Sequence, residues 1–374
     1  MLPFLSPCAV DTQAHDERTS MVNAALRNTT LLRLTAVGAA SALLLGLTPA
    51  AAQAAVTETT VELPLAAAAD VVAGAAGVYV SGGRTSTQIV VTNPAGGNHR
   101  IVDDLPGPTD LELSPDGSVL YAALPAANEI AAIDTTTLQE TARYFTGVGA
   151  CPSSLAVIEQ TLWFGYGCDQ WGGNIGRIDV SDPAPTAAVR QSPVDFWSHP
   201  KLSVGRNDPG RLFAAQPSLS PSAVQIFTVA ADGTLTAAGR TEHTVVGGNL
   251  RDMAAAPDGA TFYTASGAPY EILQFESHEL TVARRRFATG PYPNAVEVSH
   301  DGTQIAAAAD GSGLFVFRPT SAQPTKLTLT GSSGVIDRGI AWAPSGAQLY
   351  AVTRNTPNAV LHVYTASIAA KRLA

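Results

Sequence analysis

The chain has 374 residues, 45% of them hydrophobic and only 14% charged, with 33 glycines and 25 prolines. That composition suits a large core built from short, turn-rich elements and leaves little room for long helices. The formal net charge of −9 and the lack of any Lys/Arg block argue against nucleic acid as a partner, because phosphate backbones bind clustered cations that displace counterions.

The first element in chain order is near the N-terminus. Arg27 and Arg33 precede an apolar run over 34–47, and an Ala-Gln-Ala sequence follows at 52–54, the pattern of a secretory signal peptide with its cleavage site. A membrane anchor is the rival reading, but the run falls short of the roughly 20 residues needed to cross a bilayer. Residues 1–20 are polar and unpatterned, and Met21 would open a conventional signal peptide. The expected organisation is therefore an upstream segment and signal peptide over 1–54, with translation starting at Met21, and an exported domain over 55–374. That domain is expected outside the cell or at its surface, with no transmembrane segment after signal removal. Cys8 falls in the discarded part, which leaves Cys151 and Cys168 as one pair outside the reducing cytosol, and a disulfide between them is expected.

Beyond the signal, "LELSPDGSVLYAAL" (111–124) reads as two short strands bent around a Pro-Asp-Gly turn. The pattern returns as "MAAAPDGATFYTAS" from Met253, "VEVSHDGTQIAAAA" from Val296 and "IAWAPSGAQLYAVT" from Ile340. Weaker copies start at Val71, Leu155 and Leu202. The turn position then falls at Gly77, Gly117, Gln160, Gly210, Gly259, Gly302 and Gly346, a spacing of 40 to 50 residues that matches a propeller blade. Each copy runs into a third alternating strand, such as "EIAAID" or "VLHVYT", and six continue into a fourth. Seven units of four strands predict an all-β fold, a seven-bladed β-propeller, because one blade cannot bury both its faces alone. A β-sandwich is the rival. The last unit lacks a fourth strand, while "VTETTVELPL" (56–65) precedes the first; the N-terminal strand is expected to close the ring and cover its open edge.

On the residues "LSPDGSVLYAALPAANEIAAIDTTT" (113–137) and "WAPSGAQLYAVTRNTPNAVLHVYT" (342–365), the chain resembles the bacterial YVTN-type β-propellers, relatives of WD40 and lactonase-like propellers. The resemblance implies a secreted or surface-associated interaction domain, with some relatives hydrolysing sugar lactones. The Gly-His and Trp-Asp dipeptides of WD40 repeats are missing here, so intracellular scaffolding is not implied.

In such a ring the Pro-Asp-Gly turns share one face, and Asp116, Asp258 and Asp301 are expected to bond their own turn backbone. The opposite face gathers loops carrying Tyr166, Trp171, Phe196, Trp197, Tyr270 and Tyr292, either a recognition surface or loop packing. Aligning the units places Asp70, Asp110, Ser153, Lys201, Asp252, Ala295 and Gly339 around the axis, with Thr109, Arg251, Asn294 and Arg338 one residue earlier. Such a mouth suits a polar ligand, or its charges pair with one another. No Glu is expected in that ring. No Gly-x-Ser-x-Gly elbow occurs, "GSSG" (331–334) lacks its strand-to-helix context, and His199, His243, His278, His300 and His362 are scattered. No cofactor or metal is expected. The chain is read as an exported binding or interaction module for a protein or cell-envelope component, with a small polar ligand as a further option. Trp171, Trp197, Tyr270, Tyr292, Arg251 and Arg338 are its candidate contacts. The alternative is a metal-dependent, lactonase-like hydrolase working at the axial channel with Asp70, Asp110, Asp252 and Asn294.

Overall fold

The computed structural model describes residues 56–366, apart from 242, 312 and 333. The expected upstream segment, signal peptide and cleavage site over 1–54 lie outside the described residues. Seven four-stranded antiparallel sheets follow one another along the chain. Their innermost strands are Asp70–Ala73, Asp110–Leu113, Pro152–Ile158, Lys201–Ser203, Gly248–Ala255, Pro293–Val298 and Val335–Trp342, and each contacts its neighbours around the ring. The fold is a seven-bladed β-propeller. Among the described residues the helix is confined to the single turn His243–Val246, and no helix is long and apolar enough to cross a membrane.

Alternation along each strand sends side chains to both faces of a blade, and both faces are buried by neighbours. The core is accordingly divided into seven clusters, one at each junction. Tyr79, Leu111 and Ile133 join the first two blades, and Phe213, Phe262 and Phe275 join the fourth and fifth. Tyr350, Leu361 and Leu63 join the seventh to the first.

The ring closes as expected from the orphan strand. Val56–Glu62 pairs antiparallel with Val360–Ala366, from Val56 opposite Ala366 to Glu62 opposite Val360, and so supplies the fourth strand of the seventh blade. Side chains fix this seam. Glu58 accepts from His362 Nδ1 (2.7 Å) and from the backbone N–H and hydroxyl of Thr330 (3.0 and 2.5 Å). On the other side of the ring, His362 Nε2 meets Thr353 Oγ1 at 2.9 Å and Ser332 Oγ at 3.0 Å. The order Ser332–His362–Glu58 is that of a hydrolase triad, but Ser332 Oγ is also held by Thr353 and Asn355 (2.6 and 2.8 Å) and His362 has no exposed surface. These bonds tie three segments of the seam together.

The Pro-Asp-Gly turns behave as local devices. Gly117 takes φ 71°, a conformation glycine adopts without steric cost. Asp116 accepts from Ser114 Oγ (2.6 Å) and from Ser118 N (3.0 Å), which holds its carboxyl down to about 2. Asp258 and Asp301 accept from Ala260 N and Thr303 N, each at 3.0 Å.

Cys151 and Cys168 form the expected disulfide across the two ends of the third blade's inner hairpin, with Cα atoms 5.1 Å apart. Replacing both with Ser should cost about 3 kcal/mol, the chain-entropy value for a loop of this length. Urea midpoints of the two forms check the size, and free-thiol labelling of unreduced protein must give no signal at either position.

Candidate functional site

The axial residues are first of all clasps between blades. Asp70 Oδ2 accepts the backbone N–H of Leu111 at 2.8 Å, Asp110 Oδ2 that of Leu155 at 2.5 Å, and Asp252 Oδ2 that of Val296 at 2.9 Å. In each case the carboxylate of one innermost strand binds the amide of the next. The third blade uses Ser154, whose Oγ accepts from Leu202 N at 2.9 Å. Ser153, the residue expected there from its distance to the turn, is the neighbouring position. It is off by one because that hairpin joins Ile158 to Thr161 through only two residues, and a bulge follows Pro152. Ser153 instead donates to the Cys151 carbonyl at 2.9 Å.

The fourth and sixth blades also depart from the carboxylate pattern, for chemical reasons. Lys201 has no acceptor; its Nζ reaches sideways to Asp252 Oδ1 at 2.9 Å, and Ser203 Oγ takes the N–H of Ala255 at 2.9 Å. Burial raises the Asp252 carboxyl, against the pull of Lys201. Asn294 reverses the polarity, donating Nδ2 to the Val335 carbonyl at 2.8 Å. Arg338 completes the circuit from the seventh blade, bonding Asp70 Oδ2 at 3.3 Å and Asp110 Oδ1. Asp70, Lys201 and Asp252 therefore line the channel, whereas Asp110 and Asn294 have no exposed surface and lie at junctions rather than at the opening.

The channel widens at both ends. On the turn face a cavity of about 200 Å³ is bordered by Glu112, Glu297, Arg206 and His300. The two Glu residues depart from the expectation of an axis without Glu. Strand alternation brings in Glu112 two residues after Asp110 and Glu297 two after Ala295, a signal that was present in the repeat but lay outside a count of one position per blade. Desolvation lifts Glu112 to about 7 and Glu297 to about 8, with Asp252 adding to the latter and Arg206 opposing both. Desolvation and Arg206 push His300 down to about 4. Among the described residues no three His, Cys, Asp or Glu converge so as to hold a metal ion.

At the loop face a cavity of about 590 Å³ is walled by Arg84, Thr109, Ser153, His199, Lys201, Ser218, Arg251, Asp337 and Arg338. Arg251 reaches Asp310 at 2.8 Å and Asp337 at 2.6 Å. Arg338 is drawn down onto the axial carboxylates and borders both cavities, rather than standing on the rim. Asp337 also receives Arg354 at 3.2 Å.

The aromatic residues of this face divide into two groups. Tyr166 and Phe196 are buried, with the Tyr166 hydroxyl accepting from Arg190 N at 3.0 Å; they pack the loops. The others form two edge-to-face pairs. Trp171 and Trp197 lie 4.1 Å apart at 70°, and Tyr270 and Tyr292 lie 5.1 Å apart at 77°. Trp171 is 76% exposed, Tyr270 44% and Tyr292 47%, while Trp197 is half-buried. Each pair bridges a loop between second and third strands and the entry to the next blade. The Trp pair is fixed by Trp171 N–H to the Trp197 carbonyl (2.6 Å) and by Trp197 N–H to Gln216 Oε1 (2.6 Å). Gly173 is required between them, since a Cβ there would stand 1.9 Å from the Ser198 carbonyl oxygen.

Trp171, Tyr270, Tyr292 and Arg338 all have left-handed backbones, at φ 68°, 69°, 56° and 60°. Bulky side chains in that region cost about 1–3 kcal/mol each and collect at functional sites.

The fold and this face define a seven-bladed propeller with a cationic, aromatic-flanked mouth at one end of its channel. A chain of the solved structure titled "Crystal Structure of Mitotic Checkpoint Complex" is similar, with a TM-score of 0.66 and 15% identity, covering 91% of this chain and 98% of that one. At that identity the likeness concerns the fold alone, and 1709 solved chains match, so the fold does not single out a ligand. No family model and no curated protein matches the sequence.

Proposed function

We propose that the protein is an exported binding module that holds a protein or cell-envelope partner on its loop face, as the resemblance to YVTN-type propellers implies. The observation that carries this reading is the two aromatic pairs on one face, in which Trp171, Tyr270 and Tyr292 are exposed on left-handed backbones, on the same face as a mouth lined with both charge signs. Aromatics fixed by backbone bonds supply contact area at small entropic cost, and such residues dominate binding energy. The opposite face offers short hairpins whose Asp side chains are already bonded within their own turns. The N-terminal signal pattern and the disulfide support export.

The hydrolase alternative draws less support. Asp70, Asp110 and Asp252 each commit a carboxylate oxygen to the next blade's amide, and Asn294 donates to a carbonyl, so the residues nominated as ligands hold the ring together.

Replacing Trp171 and Trp197 with Ala should weaken capture of the partner about 30-fold, the loss of a hot spot worth roughly 2 kcal/mol, with secretion and melting unchanged. Asp116→Ala and Asp258→Ala should leave capture as it was. Capture that survives the tryptophan changes and fails with the turn substitutions would place the site on the other face.

A further inference from the structure

Among the described residues, the loop-face mouth contains one arginine that no carboxylate pairs with. Lys201 is paired with Asp252, Arg338 with Asp70 and Asp110, and Arg251 with Asp310 and Asp337. Arg84 stands in the wall of the same cavity with no ion pair among the described residues. Among the described residues its side chain makes one hydrogen bond, a long one, Nη2 to Ser153 Oγ at 3.5 Å. The hydroxyl of Thr109, also in that wall, is buried without a hydrogen-bond partner. The guanidinium is open to the cavity and is a donor fork awaiting an acceptor, whereas the Thr109 hydroxyl is sealed from it. Burial and the neighbouring Arg84 hold the His199 imidazole below its ordinary 6.5, so it stands neutral in the same wall, and Asp337, the carboxylate lining this cavity, is held by Arg251 and Arg354.

From this unpaired guanidinium we infer that the mouth receives a carboxylate from an acidic segment of a polypeptide partner, seated on Arg84. The planar guanidinium presents two parallel N–H groups that match a carboxylate. The aromatic pairs adjoin this wall, Trp197 two residues before His199 and Tyr292 accepting through its carbonyl from Asp310 N at 3.1 Å, where Asp310 pairs with Arg251, and they offer contact area to further residues of the segment. A polypeptide fits this better than a small acid, because the cavity is open to the rim that carries those pairs. This inference rests on the loop-face reading above and names the chemistry of its ligand.

The test titrates the full chain with an acetylated, amidated deca-glutamate peptide, with succinate, and with deca-lysine, reading affinity by calorimetry and the His199 ring resonances by NMR. Deca-glutamate should bind, move the His199 signals and weaken as salt rises, and deca-lysine should do neither. Arg84→Gln should lower affinity for deca-glutamate at least tenfold, and Arg84→Lys, which keeps the charge and loses the paired donors, about threefold. Arg206→Gln at the turn-face cavity should change nothing. Because Arg84 is exposed and makes a single long bond, its replacement leaves folding intact, which a melting curve checks. Unchanged affinity in Arg84→Gln, or no deca-glutamate binding at all, overturns the inference. Arg84-dependent succinate binding without peptide binding overturns the polypeptide source. If deca-glutamate fails while Trp171→Ala/Trp197→Ala still abolishes partner capture, the carboxylate assignment falls and the loop-face reading stands.

Discussion

Deleting residues 56–65 is expected to abolish cooperative unfolding of the whole ring. The segment carries the closing strand and Glu58, and it also carries Leu63 and Leu65, which are 0% and 3% exposed in the cluster between the seventh and first blades. Backbone bonds from Leu63 N to the Ala359 carbonyl (2.9 Å) and from Ala359 N to the Leu65 carbonyl (2.8 Å) extend the seam beyond the strand. Loss of two buried leucines alone costs about 3–6 kcal/mol, comparable with the entire stability of many domains, and the exposed edge invites aggregation. A melting curve of the truncated protein that matched the intact one would refute the closure.

The same seam sets a pH dependence. Burial holds the His362 imidazole below its ordinary 6.5, against the pull of Glu58. Burial raises the Glu58 carboxyl, but its bonds from Thr330 and His362 outweigh that and keep it below 4.5. Both groups bind protons more readily unfolded than folded. Their contribution is complete above pH 6.5, declines as the pH falls past that value and then past 4.5, and is gone once both folded values have been crossed. Glu58→Gln should flatten the acid limb of the stability profile.

The second large effect is expected at Asp110. Changing it to Ala leaves the Leu155 amide without its acceptor and removes a partner from the partly buried Arg338, and breaking a buried pair from one side costs about 3–5 kcal/mol. Asp110→Asn keeps an oxygen for the amide and should cost less. The paired change Asp110→Asn with Arg338→Met should recover part of the difference, a coupling that a double-mutant cycle measures. Urea midpoints supply the numbers; an Asp110→Ala protein as stable as the original would show that the clasp contributes nothing.

The blade count, the turn devices, the closing strand and the disulfide were all legible in the sequence, because period, alternation and turn chemistry are local signals. Placement of the axial residues was legible to within one position, and it failed at Ser153 because a two-residue hairpin there shortens the repeat. What local patterns could not convey was the direction of side chains. Nothing in "IDRGI" says that Arg338 bends down the channel on a left-handed backbone, or that Tyr166 and Phe196 turn inward while Trp171 stays out. Nor does any spacing bring Glu58 within 2.7 Å of a histidine 304 positions away; ring closure does that.

The register of the seam also determines how the ring answers to mechanical load. Val56 lies opposite Ala366 and the strands run antiparallel, so a pull applied between those two residues peels the pairs apart one at a time, like a zip, instead of shearing seven together. Tension on one end alone would not act across this joint. A propeller of this pattern is sturdy when held by a single attachment and yields at its weakest line when stretched between two.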